Sequence, residues 1–181
     1  MAATEDTGRI NPSPSGDPEA FETIIQQHQR MIHALCYRMT GSLADAEDLA
    51  QETFVLAYQN LHKFRAESRI SSWLYRIAVN QCLNWRTRRE RQERLHKEWS
   101  EQSEVSSNEN PTNAQHVRAA LIKLSPKQRA AIILTCYDGL THAEAAKVIG
   151  CSETTVSWRL FAARRKLKRL LKALQPSKEI G

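Results

Sequence analysis

Residues 140–167 read LTHAEAAKVIGCSETTVSWRLFAARRKL, and this stretch decides the fold of the second half of the chain. Thr141 is placed to cap a short amphipathic helix. Gly150 follows that helix, and glycine suits the left-handed conformation in which a helix ends and the chain turns. Ser152 then stands one residue before a second helical run, where its hydroxyl can accept a free backbone N–H. The spacing predicts a helix-turn-helix.

The second helix of this motif has two different faces. Its inward face is formed by residues three and four positions apart: Val156, Leu160, Ala163 and Leu167. Its outward face holds polar, aromatic and basic residues: Glu153, Thr154, Ser157, Trp158, Arg164 and Arg165. Residues 159–172 include seven Lys or Arg and no acid, whereas a merely solvated face normally mixes both signs. The pattern therefore favours DNA binding in a major groove over an ordinary helical hairpin.

The chain has 181 residues and a formal net charge of +6, which suits one ordinary domain or two small ones. Clustered positive charge favours a polyanionic partner, and nucleic acid is the commonest. The four cysteines are widely separated, which predicts buried free thiols in a reducing compartment: Cys36, Cys82, Cys136 and Cys151. The six histidines form no ligand pair, so we expect no metal and no cofactor.

The N-terminus is polar and acidic, unlike a signal peptide. No run approaches the roughly 18 apolar residues that a membrane-spanning helix requires. We therefore expect a cytoplasmic protein without membrane insertion.

Helical periodicity predicts an all-α protein of two small helical domains, an N-terminal bundle and a C-terminal four-helix domain. The predicted boundaries are a disordered tail (1–17), the first domain (18–92), a flexible linker (93–113), the second domain (114–175) and a tail (176–181). Ser42 is placed to cap the second helix, and the third is predicted to run from Ser72 towards Arg91. Ser125, followed by a proline, begins a helix of the second domain.

The second predicted helix is acidic, with four acids and no base between residues 42 and 60. One outward face at helical spacing contains Asp48, Gln51, Glu52 and Val55. An acidic face with an exposed apolar residue is typical of a protein-binding surface. A solvated helix whose acids serve its N-terminal dipole is the alternative, which accounts for Asp45 but not for Glu52.

Residues 63–91 carry a net positive charge, opposite to that of the second helix, with eight bases against two acids and aromatic residues between them. Such a mixture suits single-stranded nucleic acid, whose bases stack on aromatic rings and whose phosphates attract cations. One stripe of the third helix contains Arg76, Asn80, Asn84, Thr87 and Arg91. Trp73 and Trp85 fit the hydrophobic core better than a stacking platform, and Phe64 is the better candidate for base contact.

Three segments in combination resemble a known family: DAEDLAQETFVLAY, SSWLYRIAVNQCLNWRTRR and LSPKQRAAIILTCYDGLTHAEAAKVIGCSETTVSWRLFAARRKLKRLL. Together with the basic loop after the first segment, they are similar to bacterial RNA polymerase sigma factors. The two-domain form with a short polar linker resembles the extracytoplasmic-function (ECF) group. The resemblance covers residues 21–171, nearly everything outside the tails.

The resemblance implies a non-catalytic subunit that binds core RNA polymerase through its β′ and β subunits and recognises −35 and −10 promoter elements. It also implies promoter melting, with both duplex and single-stranded DNA bound, and an anti-sigma protein as a further partner. The implied core-polymerase contacts are Asp45, Asp48, Gln51, Glu52 and Val55. The implied −10 contacts are Phe64, Arg65, Ser68, Trp73, Arg76, Asn80, Asn84 and Arg88. The −35 contacts are Thr141, Ser152, Glu153, Thr154, Thr155, Ser157, Trp158, Arg159, Arg164 and Arg165.

Two other classes of protein fit less of the chain. A free-standing helix-turn-helix regulator leaves the acidic helix and the basic aromatic segment without a purpose, and no dimerisation element is evident. A DNA-processing enzyme needs a nucleophile with its base or a metal-binding cluster. The acids around Asp48 lie on a helix without a phosphate-binding context, so we expect no enzymatic activity.

Overall fold

The computed structural model describes residues 18–64, 69–97 and 112–174, and within these ranges all regular structure is helical. The described α-helices are α1 (Pro18–Thr40), α2 (Leu43–Gln59), α3 (Ile70–Lys97), α4 (Asn113–Ile122), α5 (Pro126–Ile132), α6 (His142–Ile149) and α7 (Glu153–Leu174). A 3₁₀ turn (Leu61–Lys63) follows α2, and a π-helical turn (Ile133–Tyr137) continues α5. The predicted all-α, two-domain fold is confirmed, whereas the predicted tails lie outside the described residues. None of the described helices is long and apolar enough to cross a membrane.

The helix ends form where the capping residues predict them. The hydroxyl of Thr141 accepts a hydrogen bond from the Glu144 backbone N–H (3.2 Å), and the Glu144 carboxylate accepts one from the Thr141 N–H (2.8 Å). These bonds from Thr141 lower the pKa of Glu144. Gly150 ends α6 with φ +70°, and the Ser152 hydroxyl accepts the Thr155 N–H (3.2 Å) at the start of α7. The helix-turn-helix prediction is therefore confirmed.

The first domain packs α1, α2 and α3 against one another. Ile32, Leu35 and Leu74 are fully buried at its centre. Tyr75, an aromatic residue of the basic segment, also lies in this core. Burial, together with the charge of Asp138, raises the pKa of its hydroxyl. The third helix therefore buries one aromatic residue, Tyr75, although basic residues of the same segment are exposed.

The third helix is longer at both ends than the predicted Ser72–Arg91. It begins at Ile70, whose buried side chain anchors the first turn, and it continues to Lys97. The last turns carry ion pairs at i, i+4 spacing, Arg86–Glu90 (2.8 Å) and Arg89–Glu93 (3.2 Å). The helix therefore continues five residues beyond residue 92, where the sequence predicts that the first domain ends, because ion pairs extend it after its apolar pattern ends. Residues 98–111 lie outside the described residues.

The π-helical turn changes which residues of the second domain face inward. Ile133 and Leu134 are fully buried, but Cys136 and Tyr137 are exposed. A π turn adds a residue to the helical repeat, so the positions after it leave the inward stripe. The prediction of buried thiols holds for Cys36 and Cys82. It is wrong for Cys136, and for Cys151, which is half-buried at the helix-turn-helix turn.

The two domains pack directly against each other, an arrangement that sequence periodicity does not predict. The Arg129 side chain, only 2% exposed, donates from Nε to the carbonyl of Leu121 (2.8 Å) and from its terminal nitrogens to the carbonyls of Ile122 and Met39. Met39 belongs to α1, so one guanidinium joins helix ends from both domains. Gly41 (φ +78°) lies so close to Ile122 that an added β-carbon would be 2.7 Å from the Ile122 Cδ1.

A second set of contacts joins the end of α1 to the second domain. Arg38 Nη1 lies 3.5 Å from Asp138 Oδ1, and the Arg38 guanidinium carbon lies 4.7 Å from the centre of the Tyr137 ring. Arg118 donates to the Tyr37 hydroxyl. Burial raises the pKa of Asp138 to about 6, although Arg38 acts in the opposite direction.

Asp138 should make the stability of the chain depend on pH. Because its pKa rises from 3.8 to about 6 on folding, the folded state binds more protons than the unfolded state between those values. Its contribution to the free energy of unfolding therefore falls as the pH rises through that window. We expect Asp138→Asn to gain about 2 kcal/mol on the wild type between pH 4 and 7. Urea unfolding of both proteins across this range measures the difference, and a constant difference would contradict the assignment.

Candidate nucleic-acid and protein interfaces

The outward side of α2 forms an acidic face, defined here as Asp48, Gln51, Glu52 and Val55. All of them are exposed, and Val55 exposes 55% of its surface although it is apolar. Since α2 begins at Leu43, Glu52 lies beyond the first turn, where the helix dipole no longer stabilises an acid. Beside this face, α1 and α2 border a cleft of about 480 Å³ that is lined by apolar residues such as Phe54 and by polar ones such as Arg30 and Glu47.

Asp45, one of the core-polymerase contacts that the resemblance implies, has partners inside the domain. Its Oδ1 accepts a hydrogen bond from the Trp85 indole (3.1 Å), and its Oδ2 lies 3.3 Å from Arg89 Nη1. The Arg89 guanidinium also lies 5.3 Å from the centre of the Trp85 ring. These contacts connect the first turn of α2 to α3. The structure therefore separates Asp45 from its neighbours on the acidic face.

The basic stripe of α3 is exposed at four-residue intervals: Arg76, Asn80, Asn84 and Arg88. Next to it, a cleft of about 340 Å³ between α2 and α3 is lined by Asn60, Lys63, Trp73, Arg76, Asn80 and Asn84, among others. Phe64 and Trp73 are half-buried, with their ring centres 5.3 Å apart. Four of the predicted residues therefore line one cleft, Trp73, Arg76, Asn80 and Asn84, and Phe64 lies against Trp73. Arg65 and Ser68 lie outside the described residues.

The second basic surface is the outward face of α7. Its predicted residues are exposed: Glu153, Thr154, Ser157, Trp158, Arg164 and Arg165. Ser157 lies 3.0 Å from the Nδ1 of His142, which connects α7 to the start of α6. Arg159 is half-buried, with its Nη1 3.2 Å from the Cys151 sulfur. The side chains of Thr141, Ser152 and Thr155 take part in capping hydrogen bonds.

Phe161 extends this surface and was missed by the sequence analysis. It is 60% exposed, and its ring centre lies 6.0 Å from that of Trp158, which is 65% exposed. Two exposed aromatic rings on a basic helix form an apolar patch within a polar surface. Its exposure could have been predicted from helical spacing, because Phe161 lies three residues after the exposed Trp158 and is not part of the buried stripe.

The two acids at the start of α2 should differ in their effect on stability. Asp45→Ala removes the partner of both the Trp85 indole and Arg89, so we expect it to lower the free energy of unfolding by about 1 kcal/mol. Asp48→Ala, on the exposed face of the same helix, is the matched control and should change it little. Urea unfolding of the two variants compares them, and equal losses would count against the role given to Asp45.

Comparisons with known proteins match each of the two domains. The family model for sigma-70 region 2 matches residues 24–92, and that for sigma-70 region 4 matches residues 114–167. The ECF RNA polymerase sigma factor SigW of Bacillus subtilis is 30% identical, with 92% of this chain and 96% of SigW covered. SigM of Mycobacterium tuberculosis, also an ECF RNA polymerase sigma factor, is 32% identical over 87% of this chain and 80% of its own length.

Two solved structures are similar over most of the chain. The sigma factor RpoE, crystallised with the anti-sigma factor NepR from Bartonella quintana, has a TM-score of 0.71 and 27% identity, covering 85% of this chain and 98% of RpoE. CnrH, in complex with the cytosolic domain of CnrY, has a TM-score of 0.66 and 29% identity, covering 88% of this chain and 92% of CnrH. Two family models match its two domains, and relatives 30% and 32% identical are covered over most of their length, so the chain belongs to the ECF family of RNA polymerase sigma factors, which act in transcription initiation.

Proposed function

We propose that this sigma factor binds core RNA polymerase through the acidic face of α2, recognises a −10 element with α3, and recognises a −35 element with α7. The observation that carries the proposal is the separation of charge between adjacent helices. One side of the first domain is acidic with an exposed valine, and α3 and α7 are basic with exposed or half-buried aromatic rings. A chain with these surfaces can hold a protein and a polyanion at the same time.

The proposed polymerase-binding surface consists of exposed side chains that do not take part in the core of the first domain. Asp48, Gln51 and Glu52 point away from the core, and Val55 adds apolar area to the same face. Charged residues around an apolar centre give specificity and fast association. Asp45 supports this face indirectly, because it holds α2 against α3.

We expect Asp48→Arg to abolish stoichiometric co-purification with bacterial core RNA polymerase, because it places a cation in the middle of the acidic face. Glu22→Arg is the matched control, since it reverses an exposed acid on α1 outside that face. Affinity purification of core polymerase with each variant measures the effect. Normal binding by Asp48→Arg, or equal loss in both variants, would count against this docking surface.

Promoter melting follows from the chemistry of the α2–α3 cleft. Lys63 and Arg76 supply cations for phosphates, and Asn80 and Asn84 supply amides that can bond base edges. Trp73, with Phe64 against it, offers an aromatic surface at the same place. Groups that bind unpaired bases favour the opened strand over the duplex, which is how the bound chain promotes melting.

Recognition of the −35 element rests on α7, the second helix of the helix-turn-helix. In a helix-turn-helix the N-terminal residues of the second helix contact base edges, and the C-terminal half of α7 can supply cations for phosphates. The exposed pair of Trp158 and Phe161 can contact thymine methyl groups in the major groove. Arg159, oriented by Cys151, lies beside them.

Because phosphate contacts release counterions, we expect the salt dependence of DNA binding to report the basic end of α7. Arg165→Ala/Lys168→Ala should reduce the slope of log affinity against log salt by about 2. Lys123→Ala is the control for removing an exposed base elsewhere in the second domain. Fluorescence anisotropy with labelled duplex DNA of mixed sequence gives the slopes. An unchanged slope in the double variant would show that this end of α7 does not contact phosphates.

We further infer that an anti-sigma protein binds this chain, since RpoE and CnrH were solved in complex with NepR and with the cytosolic domain of CnrY. Exposed apolar side chains on α2, Leu43, Val55 and Tyr58, supply a surface for such a partner. The relatives are sigma factors, and we propose no catalytic activity for this chain.

A further inference from the structure

A second cleft, the α3–α6 cleft, lies where the start of α3 packs against α6 of the second domain. It has a volume of about 440 Å³, and the residues that line it include Arg69, Trp73, Arg76, Glu144, Lys147 and Val148. Val148 is buried, and one apolar core continues from the first domain into the second. Small-molecule sites occupy about 300–1,000 Å³ and are common where domains meet. The packing of the two domains therefore preforms a cleft of suitable size for a small ligand.

Three cations line this cleft without an ion-pair partner. Arg69, Arg76 and Lys147 are exposed, and none of them forms an ion pair with an acid in the described ranges, whereas Arg86 and Arg89 on later turns of α3 do. Among the described residues that line the cleft, these three bases face one acid. Like charges held beside a concave surface concentrate a positive potential, which attracts anions. The charge of the cleft favours a ligand with several negative charges.

The aromatic residue of the cleft selects among such anions. Trp73 is half-buried, and the Phe64 ring, with its centre 5.3 Å from that of Trp73, supports it within the first domain. An inorganic anion gains nothing from an indole ring, but a nucleobase stacks on one. Cations together with an exposed part of an aromatic ring therefore fit a nucleotide better than inorganic phosphate.

The acid of the cleft has a position suited to a sugar hydroxyl. Glu144 Oε2 accepts hydrogen bonds from the backbone N–H and the hydroxyl of Thr141, both at 2.8 Å, which fixes the carboxylate at the start of α6. Its Oε1 has no hydrogen-bond partner among the described residues. A carboxylate repels phosphate, but it accepts a hydrogen bond from the ribose 2′-hydroxyl, as the acidic residue of dinucleotide-binding folds does.

We propose that the α3–α6 cleft binds a free ribonucleoside polyphosphate as an effector. The three cations bind its phosphates, Trp73 stacks on its base, and Glu144 accepts a hydrogen bond from its 2′-hydroxyl. Because Arg69 and Arg76 belong to the first domain and Lys147 to the second, the ligand stabilises the packing of the two domains by mass action. The proposal does not depend on the −10 role of α3.

Isothermal titration calorimetry of the full chain with ATP, in low-salt buffer without magnesium, tests the site. Tripolyphosphate lacks the base and sugar, adenosine lacks the phosphates, and dATP lacks the 2′-hydroxyl. We expect ATP to bind one to one, tripolyphosphate to bind at least about fivefold more weakly, and dATP about tenfold more weakly. If tripolyphosphate binds as tightly as ATP, or adenosine does, the proposal is overturned. Equal affinities for ATP and dATP overturn the selection of a ribonucleotide.

Variants locate the bound nucleotide. Arg69→Ala and Lys147→Ala remove one cation from each domain, and each should weaken ATP binding by at least about tenfold. Lys127→Ala is the matched control, since it removes an exposed lysine of the second domain that does not line the cleft. Circular dichroism verifies that each variant keeps its helices. Equal losses in Lys147→Ala and Lys127→Ala would mean attraction to net charge alone and would overturn the site.

A conservative variant tests the contact with the sugar. Glu144→Gln keeps a residue that completes a capping box with Thr141, so α6 is expected to keep its N-terminus. Because a charge-assisted hydrogen bond is the stronger kind, we expect the ratio of ATP affinity to dATP affinity to fall in this variant. An unchanged ratio would overturn the role given to Glu144.

A final comparison separates a free nucleotide from a nucleotide unit of a DNA strand, which offers the same base and phosphate. Arg76 lines both clefts, whereas Lys147 does not line the α2–α3 cleft. We expect Lys147→Ala to weaken ATP binding but to bind a labelled single-stranded oligodeoxynucleotide as tightly as Lys127→Ala does. Equal loss for both ligands would assign the cleft to a strand and overturn the proposal. A chain that binds the strand but not ATP keeps the −10 role of α3 and loses only this effector site.

Discussion

The buried guanidinium of Arg129 is the interaction on which the arrangement of the two domains depends. A charge taken out of water must find partners, and the last carbonyls of a helix are acceptors that lack helical donors. Arg129 satisfies the ends of α4 and α1 together, through Leu121, Ile122 and Met39. Burial and the nearby Arg86 lower its pKa to about 10, which still leaves it charged at neutral pH. The positive charge also suits the negative ends of two helix dipoles.

Within the first domain, surfaces of opposite charge lie on neighbouring helices without neutralising each other. The reason is that α2 and α3 meet through their apolar sides, as at Leu74, and turn their charged sides outward in different directions. Opposite charges of the two helices meet at Asp45 and Arg89. There an ion pair and the Trp85 ring fix the distance between α2 and α3. The same packing that makes the core therefore keeps an acidic and a basic surface available to different partners.

Local features of this chain could be predicted from sequence, and non-local ones could not. The caps at Thr141 and Ser152 depend only on neighbours in sequence, and the exposed stripe of α3 follows from helical periodicity. The exposure of Cys136 was missed because a π-helical turn changes the register without a sequence signature of its own. The pairing of Arg38 with Asp138 joins residues a hundred positions apart, and each looks like an ordinary surface charge in the sequence. Helical spacing also predicts that Asp48 and Trp158 are exposed, whereas it gave no prediction for Phe161, which lies off the buried stripe.

The end of α3 at Lys97 limits the distance that the two domains can move apart. Helix α4 begins at Asn113, so the chain between the two helices spans at most about 50 Å when fully extended. Each residue that α3 adds as helix advances the chain by about 1.5 Å, less than half of what the same residue covers when extended. The ion pairs that lengthen α3 therefore shorten the segment between the two domains, and they limit how far apart the two domains of one molecule can lie.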